Sequence, residues 1–199
     1  MEAIVKSRAT IAVLVAAGFC VSVVLLAQNT ANATTEKTFV ASGKIVMQLD
    51  GGNYTVRPAA DNRIRVTLSG TTGNAKVDVT TNKSQANVSV KETPRNNFEA
   101  TIEVPKSADV VIRLSAGNLR LAAITGNKDV QSTAGNVEIA VGDPNDYSSV
   151  DASVKAGDID AAAFGGSKSG LFQHFTWSGR GKYTLRASLG AGNLVLRSK

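Results

Sequence analysis

Apolar and polar residues alternate with a period of two along almost the whole chain after Thr38. Ile64-Arg65-Val66-Thr67-Leu68, Ala75-Lys76-Val77-Asp78-Val79, Ala86-Asn87-Val88-Ser89-Val90 and Ala100-Thr101-Ile102-Glu103-Val104 each put their apolar residues on one side of an extended chain. That alternation predicts half-buried strands. Turn-forming clusters punctuate them at Asp50-Gly51-Gly52-Asn53, Thr72-Gly73-Asn74, Pro94-Arg95-Asn96-Asn97 and Gly142-Asp143-Pro144-Asn145-Asp146. No stretch of the body carries helical periodicity, so the pattern predicts an all-β protein.

A short unit recurs within this pattern. Ala116-Gly117-Asn118-Leu119-Arg120-Leu121 returns as Ala134-Gly135-Asn136-Val137-Glu138-Ile139, as Ala156-Gly157-Asp158-Ile159-Asp160-Ala161 and as Ala191-Gly192-Asn193-Leu194-Val195-Leu196. Successive starts lie 18, 22 and 35 residues apart. A period near twenty fits one coil of a parallel β-solenoid, or β-helix-like stack of short strands. In that reading Gly117, Gly135, Gly157 and Gly192 turn the corners with positive φ. Asn118, Asn136, Asp158 and Asn193 bond their own turns and stack on their equivalents one coil away. The apolar pair that follows points inward. The residue between that pair points to solvent, which sets Arg120 beside Glu138 as a cross-strand pair. Gly-Asn also occurs at Gly52-Asn53, Gly73-Asn74 and Gly126-Asn127, which extends the device weakly through the chain. The competing reading is a set of hairpin or sandwich turns that share Ala-Gly-Asn. The expected organisation is an N-terminal β layer or cap over residues 34–105 and solenoid repeats over 106–199, with an insertion at about 164–183.

Residues 1–33 have a different composition. Lys6 and Arg8 form a basic start, residues 9–27 are uncharged and apolar, and Ala31-Asn32-Ala33 follows. This reads as a signal helix of a secretory peptide cut after Ala33. The alternative is an uncleaved anchor, since the run approaches the roughly 20 residues that a membrane-spanning helix needs. Both place the body outside the cytoplasm, in the periplasm, at the cell surface or beyond it. Phe19 is too bulky before Cys20 for a lipid-modified start, and removal of the signal removes the single cysteine. The mature domain therefore has no disulfide and relies on packing and hydrogen bonds.

Chemistry is scarce in this composition. One Cys and one His exclude multi-Cys zinc sites and His clusters, and no metal or cofactor is expected. The net charge of +6 becomes about +5 once Glu2, Lys6 and Arg8 are removed, a modest value for this length. Beyond Asp160 there is no acid, whereas Lys168, Arg180, Lys182, Arg186, Arg197 and Lys199 all follow. That basic end suits anionic sugars or lipid head groups, although a solvated face is the commoner role of such a run; nucleic acid is not expected. His174 lacks the flanking elements of a catalytic triad, and no Gly-x-Ser-x-Gly elbow exists. Gly166-Ser167-Lys168-Ser169-Gly170 lacks the phosphate-loop frame and reads as a flexible loop. Asp143, Asn145, Asp146, Asp158 and Asp160 offer oxygen donors, but their spacing fits no calcium loop, and turn formation by Asp143-Pro144-Asn145-Asp146 is the simpler account. Asp158 and Asp160 are also the pair that a carbohydrate-active enzyme would use as acid and base. Asn53-Tyr54-Thr55, Asn82-Lys83-Ser84 and Asn87-Val88-Ser89 are formal glycosylation triplets.

The insertion holds the most distinctive side chains. Phe164, Phe172, Phe175, Trp177 and Tyr183 cluster with Lys168, Arg180 and Lys182. Exposed rings with cationic neighbours stack on sugars or meet an acidic partner, which makes Phe172, His174, Phe175, Trp177, Arg180 and Lys182 the candidate ligand-binding residues. The other reading is a hydrophobic plug for the open end of the stack.

The Ala-Gly-Asn/Asp repeats resemble those of a bacterial family of uncharacterised β-strand-repeat proteins described as putative adhesins, similar to adhesin head domains. So do Val104-Pro105-Lys106 and the ending Ser178-Gly179-Arg180-Gly181-Lys182-Tyr183-Thr184-Leu185 followed by Leu189-Gly190-Ala191-Gly192-Asn193-Leu194. The resemblance covers most of residues 40–199 and implies an exported envelope protein without established catalytic residues. A cell-surface glycan, an envelope polymer or another protein is the expected partner. The membrane enters only through an uncleaved N-terminal segment. The expected function is therefore a non-enzymatic structural or adhesive module.

Overall fold

The structure, a computed structural model, describes residues 34–198; the expected export segment lies outside the described residues. Thirteen strands and two short 3-10 turns make up this region. In chain order the strands are β1 (Thr34–Thr38), β2 (Lys44–Leu49), β3 (Gly52–Pro58), β4 (Arg63–Gly70), β5 (Lys76–Thr81), β6 (Gln85–Lys91) and β7 (Phe98–Val104). Then come β8 (Asp109–Leu114), β9 (Gly117–Leu121), β10 (Lys128–Ala140), β11 (Tyr147–Ala161), β12 (Gly166–Ser178) and β13 (Tyr183–Arg197). The period-two pattern is the reason these are strands: in β4, Ile64, Val66 and Leu68 are buried while their neighbours face outward. The turns fall at Pro144–Asp146, capped by the Asp143 carboxylate, and at Ala162–Phe164.

All strands belong to one sheet of mixed orientation, which bends through glycine corners into two walls around one aliphatic core. The first wall contains β5, β6, β2, β8 and the first halves of β10, β13 and β11; the second contains β4, β7, β3, β9 and the second halves of the same long strands. At the corners the parallel register aligns Gly52, Gly117, Gly135, Gly192 and Gly157 in one file. The missing side chain is what permits this. Gly135 has φ +119°, and a Cβ there would overlap the Gly117 carbonyl; Gly117, Gly192 and Gly157 stand in the same relation to the glycine carbonyl one layer away.

Beside the glycines runs a ladder of side-chain amides. Asn118 Nδ2–H donates to Asn53 Oδ1 at 2.8 Å, Asn136 to Asn118 at 3.0 Å, and Asn193 to Asn136 at 3.1 Å. Asp158 stands next in register and has no N–H to donate, so the amide chain stops there. Outside the ladder, Arg120 meets Glu138 at 3.2 Å, and Glu138 also pairs with Arg197. At the other end of the second wall Glu36, Arg65, Glu103 and Arg57 alternate in charge across β1, β4, β7 and β3. The bonds that Arg65 and Arg63 donate to Glu36 hold its carboxyl below the usual range.

The stacking order differs from the chain order at both ends. The layer of β2 and β3 is sandwiched between the layer of β6 and β7 and the layer of β8 and β9. Likewise β13, the last strand, enters between β10 and β11. The outward column therefore reads Arg120, Glu138, Val195, Asp160, because the chain leaves a gap after β10 and fills it last. Outside the parallel layers a strand returns antiparallel at each end. There β4 pairs with β7 and β5 with β6 at one end, and β12 pairs with β11 at the other.

Three readings are corrected by these pairings. Residue 105 is not a seam, since β2 pairs with β8, β3 with β9, and one core runs through both parts. Of the extra Gly-Asn pairs, only Gly52-Asn53 joins the file; Gly126 packs on the Ala108 carbonyl, and Gly73 sits against the Pro94 ring. The stretch expected as a flexible loop, residues 166–170, is the first half of β12, held by continuous pairing to β11.

Gly135→Ala should destabilise the protein by more than about 4 kcal/mol, because the collision is with backbone that the whole file shares. Gly165→Ala, also at positive φ but in open space, should cost only about 1–2 kcal/mol. Urea unfolding of the two variants separates corner packing from plain backbone strain. In the same assay Asp158→Asn should stabilise by about 0.5–1 kcal/mol by adding a rung to the amide ladder.

Candidate functional site

The six candidate binding residues lie on β12 and the turn after it, and the fold divides them. β12 descends the second wall, bends at Gly170–Phe172 and climbs the first, antiparallel to β11 throughout. Phe175 and Trp177 lie opposite the buried Ala152 and Val150, so their rings turn inward and pack on the core. Trp177 also tilts against the buried Phe164, with centroids 5.0 Å apart, and Phe164 meets Tyr147 edge to face. The two inward rings cover Gly179 and Gly166, where any Cβ would collide with them.

Phe172 does the opposite. Its φ of +53° turns it out of the ladder at the bend, where it is 81% exposed beside Leu171 at 69%. A non-glycine residue in this region costs about 1–2 kcal/mol, so the bend holds an apolar ring in water at some expense. Gln173 braces the bend by donating to the Leu171 carbonyl at 2.8 Å. Arg180 and Lys182 sit on a turn anchored by the Gly179, Gly181 and Lys182 amides to the carbonyls of Ser148, Tyr147 and Asp146. They lie about 20 Å of strand away from Phe172, at 3.3 Å per residue. The six residues thus form an exposed apolar bend, two inward rings and a separate cationic turn.

His174 faces outward between these groups. Its Nε2 lies 3.0 Å from Asp151 Oδ1, and both side chains are more than half exposed. Ser153 stands directly opposite His174 in register, so serine, histidine and aspartate meet on this wall. The imidazole bond goes to Asp151 rather than to the serine, and the three occupy open sheet surface. Asp160 uses one carboxylate oxygen to accept the Ala162 N–H at 3.1 Å, and Asp143 accepts from the backbone and side-chain N–H of Asn145. Among the described residues no group of three or more His, Cys, Asp or Glu could hold a metal ion. A recess of about 520 Å³ on the second wall is polar and open, with the amides of Asn53, Asn118 and Asn136 and the side chains of Arg120 and Glu138 along its floor.

One buried polar residue escaped the sequence reading. Lys128 is 2% exposed and occupies an inward position between Val110 and Leu185. Its Nζ donates to the Ile124 carbonyl at 2.7 Å, the Gly126 carbonyl at 3.2 Å and the Tyr147 hydroxyl at 2.7 Å; that hydroxyl donates to the Val141 carbonyl at 3.1 Å. The ammonium thereby ties together the loops that join successive layers on the side away from the glycine corners. Burial lowers its pKa to about 8, against the opposing pull of Asp109 and Asp146. Burial raises the Tyr147 hydroxyl above its ordinary value, with Asp146 adding to the effect. The signal was available: Lys128 is in phase with the inward Val130 and Ser132.

No family model matches the sequence, and no curated protein does. The fold is shared with the crystal structure of a putative cell adhesion protein from Clostridium sporogenes ATCC 15579, at a TM-score of 0.53 and 10% identity. The match covers 84% of this chain and all of that one. At that identity the likeness concerns the fold.

The Lys128 cage sets a pH dependence of stability. Below pH 8 the lysine is charged in both states; between pH 8 and 10.5 the unfolded chain holds more protons than the native one, so this residue makes stability rise with pH. Above pH 10 the raised Tyr147 works in the opposite direction, because the unfolded tyrosine ionises first. Urea unfolding at pH 7 and pH 9.5 should show wild type gaining stability relative to Lys128→Met. An unchanged difference between the two proteins would contradict the assignment.

Proposed function

We propose that this chain is an exported, non-enzymatic envelope protein whose solenoid-like stack carries an adhesin-like binding edge on β12. The observation that carries this reading is the exposed bend: Leu171 and Phe172, on the outer strand β12, are the most exposed large apolar side chains among the described residues. Support for the solenoid reading comes from the aligned corner glycines and the amide ladder. Support for export comes from the composition of residues 1–33. The adhesive role gains support from the neighbour described as a putative cell adhesion protein. The carboxylates best placed for sugar chemistry serve a turn and the end of a ladder, which favours a binding role over hydrolysis.

A second reading rests on charge. Lys155, Lys168, Arg180 and Lys182 are exposed on or beside the terminal strand, with no acid after Asp160, an arrangement that suits an anionic polysaccharide or lipid surface. A glycan and envelope-polymer binding screen tests both. Phe172→Ser should lower affinity for a bound polymer at least about tenfold if the bend is the contact. A combined Arg180→Gln and Lys182→Gln variant, together with a steep loss of binding in salt, would mark the charge reading instead. Trp177→Ala is the poorer probe, because that ring packs on the core. Binding unaffected by either surface variant would remove the β12 edge as the site.

A further inference from the structure

Both ends of the stack finish in an antiparallel strand, but they finish differently. At one end β1 pairs along β4 and runs close to β5, whose only ladder partner among the described residues is β6, so the two strands shield each other's outer edges without pairing. At the other end β12 pairs, among the described residues, with β11 alone. Along its thirteen residues the outer edge presents the N–H and C=O groups of alternate residues, with no proline among them. Such an edge templates another strand.

We propose that the occupant is a second copy of this chain, whose own β12 adds antiparallel across a two-fold axis through the bend. This rests on the reading of β12 as the binding edge and names its partner. The symmetry follows from the shape of the strand. A dyad that bisects the bend exchanges the two walls, so the second-wall half of one β12 meets the first-wall half of the other. Inward residues must then oppose inward residues. By register, the core-side positions on the second wall are Gly166 and the exposed Lys168, opposite the buried Ala161 and Ile159; on the first they are Gln173, Phe175 and Trp177, opposite Val154, Ala152 and Val150.

The register that sets Leu171 against the second copy's Phe172 satisfies this condition at every position. Lys168 then opposes Phe175, Gly166 opposes Trp177, and the outward Ser169 and Ser167 oppose His174 and Thr176. Both exposed apolar pairs are buried on each other at the axis. A shift of two residues also matches inward to inward but sets Phe172 against Ser169, which leaves the rings in water. Charge agrees with the chosen register. Lys168 and His174 are the only ionisable side chains on β12, and neither meets its own copy. Lys168 faces an aromatic ring, a favourable cation–π partner. The contact is isologous and consumes both free edges, so it closes as a dimer instead of growing into a fibre.

Analytical ultracentrifugation of the full chain as recovered from the expressing cell, up to about 100 µM, reads the assembly state. Wild type should sediment as a dimer, and Phe172→Ser should weaken the association at least about tenfold. Register is read on a Cys20→Ser background by mixing Ser169→Cys chains with His174→Cys chains. Oxidation should link the two kinds to each other far more than either to itself. A monomer at the highest concentration, or a dimer unaffected by Phe172→Ser and without the mixed crosslink, overturns the proposal. A monomer that still binds an envelope polymer through Phe172 would overturn the pairing and leave the binding edge standing. A crosslinked dimer without polymer binding would do the reverse.

Discussion

The fold depends on how closely its corners approach one another. Neighbouring layers of a sheet sit about 4.8 Å apart, and at the corner each layer places a glycine Cα where a side chain would strike the carbonyl of the next. Gly52, Gly117, Gly135, Gly192 and Gly157 satisfy this in one file. Everything else in register follows from it. Once the glycines coincide, the amides of Asn53, Asn118, Asn136 and Asn193 fall within hydrogen-bonding reach, and the aliphatic pairs after them reach the core together. A slip of one residue would turn every inward side chain outward and bring a Cβ onto the carbonyl file, so corner and core enforce the same register.

The sequence carried this local rule legibly and the global order poorly. Ala-Gly-Asn followed by alternating residues announces the corner, the inward pair and the outward column, because each is fixed by contacts repeated in every layer. Where a layer lies in the stack is set by its two neighbours, and equivalent layers offer nearly identical surfaces to one another. Hence β13 could lie beside β10 as well as β11 could, and the chain puts it between them. The requirement behind this choice is visible only in three dimensions: β12 must run back along the outside of β11 before the chain can turn through Gly179 and Gly181 into the remaining gap. The same holds for β2 and β3, which a reading by position placed in a separate cap.

The candidate site shows the same division between local and global information. Its aromatic richness was plain from composition, but strand phase decides which rings are available. Phe175 and Trp177 share a phase and face the core, whereas Phe172 leaves that phase because its backbone takes φ +53°. Residue type alone cannot distinguish Phe172 from Phe175. Lys128 is the converse case: its charge argued for solvent, but its phase with Val130 argued for the interior, and phase won because three oxygens were waiting there. In a protein built from alternation, phase outranks chemical type wherever the two conflict.

The ends of the stack are where repetition stops being an advantage. Inside the sheet each strand satisfies its neighbours' backbone groups, but the terminal strands β1, β5 and β12 each keep a single ladder partner among the described residues. The chain treats them unequally. At one end β1 lies over β4, and the alternating charges of Glu36, Arg65 and Glu103 lock the cover in place. At the other, the exposed Lys168 and the half-buried Gln173 stand opposite the buried Ile159 and Val154, and polar groups on that side of the outer strand deter indiscriminate stacking by a bare apolar end. Phe164, Trp177 and Phe175 seal the core beneath them. The apolar bend at Leu171 and Phe172 remains uncovered in a terminus otherwise defended by polar residues and glycines. The backbone strain at Phe172 and its exposure thus coincide on an outer strand whose ladder partner, among the described residues, is β11 alone.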